Sequence, residues 1–154
     1  MAINTASGSQ FSIGTTLAAT TISGFEADVY VPVGEVEDLG EFGDASAEVT
    51  FTSLLDARVR KAKGPRDAGS VTVTCADDPL DVGQDNMILA EASTLDYNFK
   101  VEFNDPLSVS GTPSIHYFKG KVMSKRFNVG NASNIVRRVF VVGINSEILS
   151  VNPS

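Results

Sequence analysis

Apolar and polar positions alternate along much of this chain, and a period of two marks a half-buried β-strand. The clearest run is Tyr97–Asn104. Tyr97, Phe99, Val101 and Phe103 alternate there with Asn98, Lys100, Glu102 and Asn104. Val71, Val73 and Cys75 alternate with Thr72 and Thr74, and Val49 and Phe51 with Thr50 and Thr52. Val and Thr suit such a surface. Val29, Val31 and Val33 share a face, but Pro32 has no N–H, so Asp28–Val33 is an edge strand or a strand end. Phe11–Leu17 begins the first strand, while Ala18–Phe25 fits no single period. Leu54–Lys61 fits either a strand or a helical turn. His116–Ser124 and Lys125–Gly130 continue as strand with a break near Gly120. Ile135–Ile144 is apolar at Phe140, Val142 and Ile144 and also at Val139 and Val141. A strand apolar on both faces belongs at a sheet centre, covered on one side by a helix or a neighbouring subunit.

One stretch follows a helical period instead. Asp81 and Gln84 have capping-box spacing, and Ile88 and Ala92, with Leu89 beside them, form an apolar side. About ten residues of helix do not persist alone in water, so this one packs on a sheet. Gly34–Gly43 and the turn-rich Gly64–Gly69 separate the elements. The pattern predicts a mainly β fold. It is a barrel or sandwich of two packed sheets with one flanking helix, about residues 81–92, and a long projecting loop, about 35–69. A single domain spans 1–154, with a loose N-terminal arm (about 1–10) and a short C-terminal strand or arm (about 147–154).

Composition narrows the function. At 154 residues, 42% hydrophobic and 20% charged, the chain supports a real core. The formal charge of −7 argues against a general nucleic-acid binder, which needs a basic surface. Cys75 is the single cysteine, so no internal disulfide forms. No signal peptide and no run of about 18 apolar residues is visible, and the cytoplasm is the default compartment.

Catalytic chemistry has little support. His116 is the single histidine, and no G-x-S-x-G turn marks a nucleophile, so His116 is expected as an ordinary strand residue. Cys75, on the apolar side of its strand, is expected as a buried thiol without reactivity. Asp77, Asp78, Asp81 and Asp85 do not match a calcium loop and fit a helix N-terminus. No metal, cofactor or enzyme activity is expected.

Residues 35–69 separate charge by sign. Glu35, Glu37, Asp38, Glu41, Asp44 and Glu48 come first, and Arg58, Arg60, Lys61, Lys63 and Arg66 follow. The basic run has no interleaved aromatics to stack on bases. A segment with two blocks of opposite sign can complement another copy of itself, so a protein contact is expected here.

The order of several short pieces resembles the major tail tube proteins of long non-contractile-tailed (siphovirus-type) bacteriophages. They are Ile13-Gly-Thr-Thr-Leu17, Gly34-Glu-Val-Glu-Asp-Leu-Gly-Glu-Phe-Gly43, Lys63-Gly64 with Asp67-Ala-Gly69, Asp81-Val-Gly-Gln84 leading to Leu89-Ala90, Tyr97-Asn-Phe-Lys-Val101 and Tyr117-Phe-Lys-Gly-Lys-Val122. Val82 stands where that family's helix opening often has Pro. The resemblance implies a structural virion protein that forms stacked hexameric rings, with double-stranded DNA passing through the lumen without tight binding. It implies a tape measure protein and a tail terminator as partners, a place in the virion tail after assembly in the host cytoplasm, and no cofactor. It also makes Glu35, Glu37, Asp38, Glu41, Phe42, Arg58, Arg60, Lys61, Lys63 and Arg66 inter-ring contact residues, by the place of the family's stacking loop. A type VI secretion-like tube protein and a monomeric β-sandwich binding module are the alternatives.

Overall fold

The alternating stretches become strands. The structure, a computed structural model, describes residues 3–154. In chain order the elements are β1 (Gln10–Ile13), α1 (Ile22–Glu26), β2 (Val31–Pro32), β3 (Val36–Asp38), β4 (Ala45–Thr52), β5 (Val59–Asp67), β6 (Ser70–Ala76), α2 (Val82–Ala92), β7 (Tyr97–Glu102), β8 (Ile115–Asn128), β9 (Arg137–Ile144) and β10 (Leu149–Val151). Residues 1 and 2 of the expected N-terminal arm lie outside the described residues, and Gln10 at its other end already belongs to β1.

Eight strands make one curled sheet in the order β2-β1-β7-β8-β9-β6-β3, with β10 beside β8. The mainly β, barrel-like architecture with a flanking helix is the one expected. The barrel is a single sheet bent on itself, and the second sheet is only the hairpin β4-β5. Strand β8 makes the bend. Its first half pairs with β7, its second half with β9, and its register with β9 shifts between Val122 and Ser124. There is no strand break at Gly120. The glycine is needed because a Cβ there would run into the Gly143 carbonyl of β9.

The concave face carries the core. Phe11, Phe99 and Phe118 stack in series at 5.6 and 5.5 Å between ring centres, and Val71, Val73, Phe140 and Val142 extend the layer. Cys75 is buried in it, as its alternation implies, and burial pushes the thiol up to about 11. Strand β9 is central, between β8 and β6, with Phe140, Val142 and Ile144 inward and Val139 and Val141 half-buried on the other side. Pro32 lies on the edge strand β2, where its missing N–H costs nothing. The stretch Ala18–Phe25, without a clear period, holds the short helix α1. Its Phe25 packs on Tyr117 to form a small second core on the convex face.

The long helix forms as expected, but turned. Met87 and Ala90 are buried together with Gly83 and Gln84, whereas Leu89 and Val82 face out. Gly83 sits where any Cβ would meet the Pro32 carbonyl, so the helix comes down directly on β2. Asp81 caps the helix by accepting from the Gln84 N–H at 2.9 Å. The reciprocal half of the capping box is absent. The Gln84 side chain instead donates to the carbonyls of Gly34 and Ala76 at 3.1 and 2.8 Å and accepts from the Asp78 N–H at 3.1 Å. No helix among the described residues is long and apolar enough to cross a membrane.

Candidate assembly surfaces

The segment expected as a projecting loop is a β-hairpin with a short strand before it. Val36 and Asp38 pair with Cys75 and Thr74 and so join the main sheet, in a part of Gly34–Gly43 expected to be loop throughout. Residues 39–44 then run beside Phe103, His116 and Ile148, with Leu39 and Phe42 packed on the core. Strands β4 and β5 follow and pair only with each other. Gly64–Asp67, expected as a turn, lies inside β5. There the register shifts, with Ser46 opposite Arg66 but Glu48 opposite Lys63. The extra residue makes a bulge that accommodates Pro65 without a ladder hydrogen bond. Leu54–Lys61 resolves into a turn followed by strand. The Asp56 carboxylate accepts from the Arg58 N–H at 3.0 Å, and Ala57 takes a positive φ of 53°.

Opposed residues share a face, so the register sorts the hairpin into two sides. One side holds Val49, Phe51, Arg60 and Ala62. The other holds Glu48, Thr50, Thr52, Val59, Lys61 and Lys63. Nearly all of these are exposed, Phe51 at 66%, and Leu54 and Leu55 stand free at the tip. An isolated two-stranded hairpin is marginal in water. At its root a groove of about 540 Å³, lined by Asp44, Arg66, Ile144 and Glu147 among others, separates it from the body.

The ten residues expected at a contact between rings are not all free within the subunit. Glu37 pairs with Arg137 of β9, and Asp38 accepts from the Gly40 N–H at 2.7 Å. The Glu35 carbonyl accepts from the Ala76 N–H at 2.9 Å, leaving its side chain exposed. Phe42 is half-buried against Phe118 and His116 and closes the end of its own core. Arg60 bonds to Asp56 at 2.9 Å, Lys61 lies 3.6 Å from Glu48 and Arg66 lies 3.2 Å from Asp44. Arg58, Lys63 and Glu41 are exposed and have no ion-pair partner among the described residues. Folding thus brings the acidic and basic blocks side by side, and exposed pairs of this kind are weak.

Sequence reasoning missed a second surface. Past Gly120, β8 runs on to Asn128 with β9 on one edge and, among the described residues, no strand on the other. This open edge adjoins exposed Met123 and Phe127, and Val129 and Ile135 lie exposed just beyond the strands. The expectation of a break near Gly120 obscured it. Only the register showed where β7 stops.

The residues with chemical potential have structural partners. The His116 ring lies 4.5 Å from that of Phe103, with Nδ1 2.7 Å from the Ser150 hydroxyl. Burial lowers its pKa, against a smaller opposing pull from Asp105. Asp77 pairs with Arg138 at 3.2 Å, and Asp81 holds both the Gln84 and the Gly34 N–H groups at 2.9 Å. No group of three metal-ligating side chains occurs among the described residues.

No family model matches the sequence, and no curated protein matches it. Solved structures do match in fold. The SPP1 tail tube aligns over 94% of this chain and 76% of that one, at 14% identity and a TM-score of 0.63. A chain of the anti-feeding prophage baseplate aligns over 99% and 98%, at 11% identity and a TM-score of 0.62. A chain of the sheath/tube terminator from a PVC extracellular contractile injection system, in the extended state, aligns over 97% and 96%, at 9% identity and a TM-score of 0.65. The chain has the tail tube fold.

Proposed function

We propose that this chain is the structural subunit of a phage-type tail tube. Copies form hexameric rings, rings stack through the β4-β5 hairpin, and double-stranded DNA passes through the lumen. The observation that carries this reading is the hairpin itself. It is a long, exposed, two-stranded element with uncovered apolar residues, standing off a domain that has the tail tube fold. Such an element gains its cover from another copy. The open edge of β8 supports contact within the ring, because an unpaired edge is completed by a neighbouring strand. Its apolar neighbours Met123 and Phe127 then lose their exposure as well.

The role is structural, with the tape measure protein and the tail terminator as partners, and it places the chain in the virion tail after assembly in the host cytoplasm. The net charge of −7 suits passage of DNA, since a wall of like charge does not hold phosphate. Negative-stain electron microscopy of the concentrated protein tests the reading, and tubes or annuli of uniform diameter are expected. Replacing residues 46–66 with a short Gly/Ser turn keeps the curled sheet folded by circular dichroism and abolishes tubes. A wild-type protein that stays monomeric in sedimentation at every concentration and salt refutes it.

A further inference from the structure

The hairpin and the body that bears it have opposite charge. Arg58, Arg60, Lys61, Lys63 and Arg66 against Glu48, Asp56 and Asp67 leave the hairpin at +2, so the rest of a chain whose total is −7 carries −9. The hairpin is a cationic arm on an anionic domain. Of its cations without an ion-pair partner among the described residues, Arg58 lies in the turn beside the exposed tip leucines Leu54 and Leu55, and Lys63 lies four rungs back along β5, opposite Glu48.

The anionic body offers a matching surface on α2. Turning its Gln84–Met87–Ala90 side inward leaves an outward stripe of Val82, Asp85 and Leu89, since positions three, four and seven apart share a side. Val82 is 60% and Leu89 66% exposed, and Leu80 just before the helix is 91% exposed. The acidic rim comes from two chain segments. The Gly34 N–H bonds Asp81 and the Glu35 carbonyl takes the Ala76 N–H, so Glu35 lies beside the helix entry with Asp78 and Asp85. The ion pairs near this surface use Asp77 and Glu91, leaving Glu35, Asp78 and Asp85 without a cation among the described residues. The stripe is apolar with an acidic border, and the hairpin is apolar at its tip, with Arg58 beside the leucines and Lys63 further along β5.

We infer that the hairpin of one copy docks on the outward stripe of α2 of a second copy, with Leu54 and Leu55 against Val82 and Leu89 and with Arg58 and Lys63 facing Glu35, Asp78 and Asp85. The inference rests on the tube reading and names the receiving surface for the same hairpin. Nine residues of β5 span about 30 Å, enough to cover the roughly 16 Å of α2 beyond the subunit boundary. The donor and acceptor surfaces differ, so every copy gives one contact and receives one. Such a contact does not close on itself between two subunits, and it propagates from ring to ring.

Engineered cysteines test it. Leu55→Cys with Leu89→Cys in one chain, assembled and then oxidised, should give a ladder of disulfide-linked multimers on a non-reducing gel. Leu55→Cys with Val109→Cys, in an exposed loop elsewhere, should give none. Arg58→Glu with Lys63→Glu should weaken elongation roughly tenfold per contact, and Glu35→Lys with Asp85→Lys should restore part of it. Tubes that assemble without the Leu55/Leu89 ladder and ignore the charge reversal overturn this contact and leave the tube reading standing. A wild-type protein that forms no tubes overturns the tube reading, and this contact falls with it.

Discussion

Replacing Gln84 with Ala should be among the costliest single changes on the helix, although the residue is polar. The side chain is fully buried, and each of its polar atoms is satisfied. Truncation strands three backbone groups at once: the carbonyls of Gly34 and Ala76 and the N–H of Asp78. A buried group without its partner costs about 1–3 kcal/mol, and neighbouring losses are less than additive. Together with the space left behind, the total is about 3–5 kcal/mol. For a chain of this size each kcal/mol moves the melting temperature by roughly 2–4 °C, so a fall of about 6–20 °C is expected. Urea unfolding followed by circular dichroism measures the free energy, and calorimetry measures the temperature. Gln84→Glu keeps the volume but sets a carboxylate oxygen against two carbonyls, so it should be at least as destabilising at neutral pH and partly relieved in acid. A Gln84→Ala loss under about 1 kcal/mol refutes the reasoning, because those groups then find other partners at little cost.

Two further outcomes concern ionisable groups. Burial raises the Asp28 carboxyl, but hydrogen bonds from the Thr15 hydroxyl and N–H, from Asn98 and from the Val29 N–H outweigh it and hold the group below its ordinary value of 3.8. A lowered folded-state value means this stabilisation is complete above about pH 4 and is lost as pH falls through the folded value. Asp28→Asn should therefore be less stable at neutral pH and show a flatter acid limb in urea midpoints, and an unchanged acid limb counts against this. Cys75, buried with its thiol raised to about 11, should be silent to a thiol reagent at pH 8 until urea unfolds the chain; prompt reaction in the native protein would place it at the surface.

Much of the scaffold was legible because strand alternation is local. Val71, Val73 and Cys75, and Phe99 and Val101, face the core as their period implies, and Asp81 caps the helix it precedes. The helix's inward side was not legible. Leu89 and Ile88 are more apolar than Gln84, and only the docking of Gly83 on Pro32 turns Gln84 inward, where it replaces water for three backbone groups. The charge segregation of residues 35–69 was visible, but not its partition. Glu37 is taken by Arg137, a hundred residues away, and Phe42 by its own core.

By itself the sequence determined the core strands and the long helix, the edge position of Pro32, the burial of Cys75 and the separation of charge by sign within residues 35–69. These follow from side-chain period, a missing N–H and a count of charges, none of which depends on distant neighbours. Tertiary structure alone decided that the barrel is one sheet bent along β8, that residues 45–67 leave it as a separate hairpin, and which side of α2 stays uncovered. Each depends on where one strand stops pairing and another begins, and backbone pairing between distant segments has no signature in local residue order.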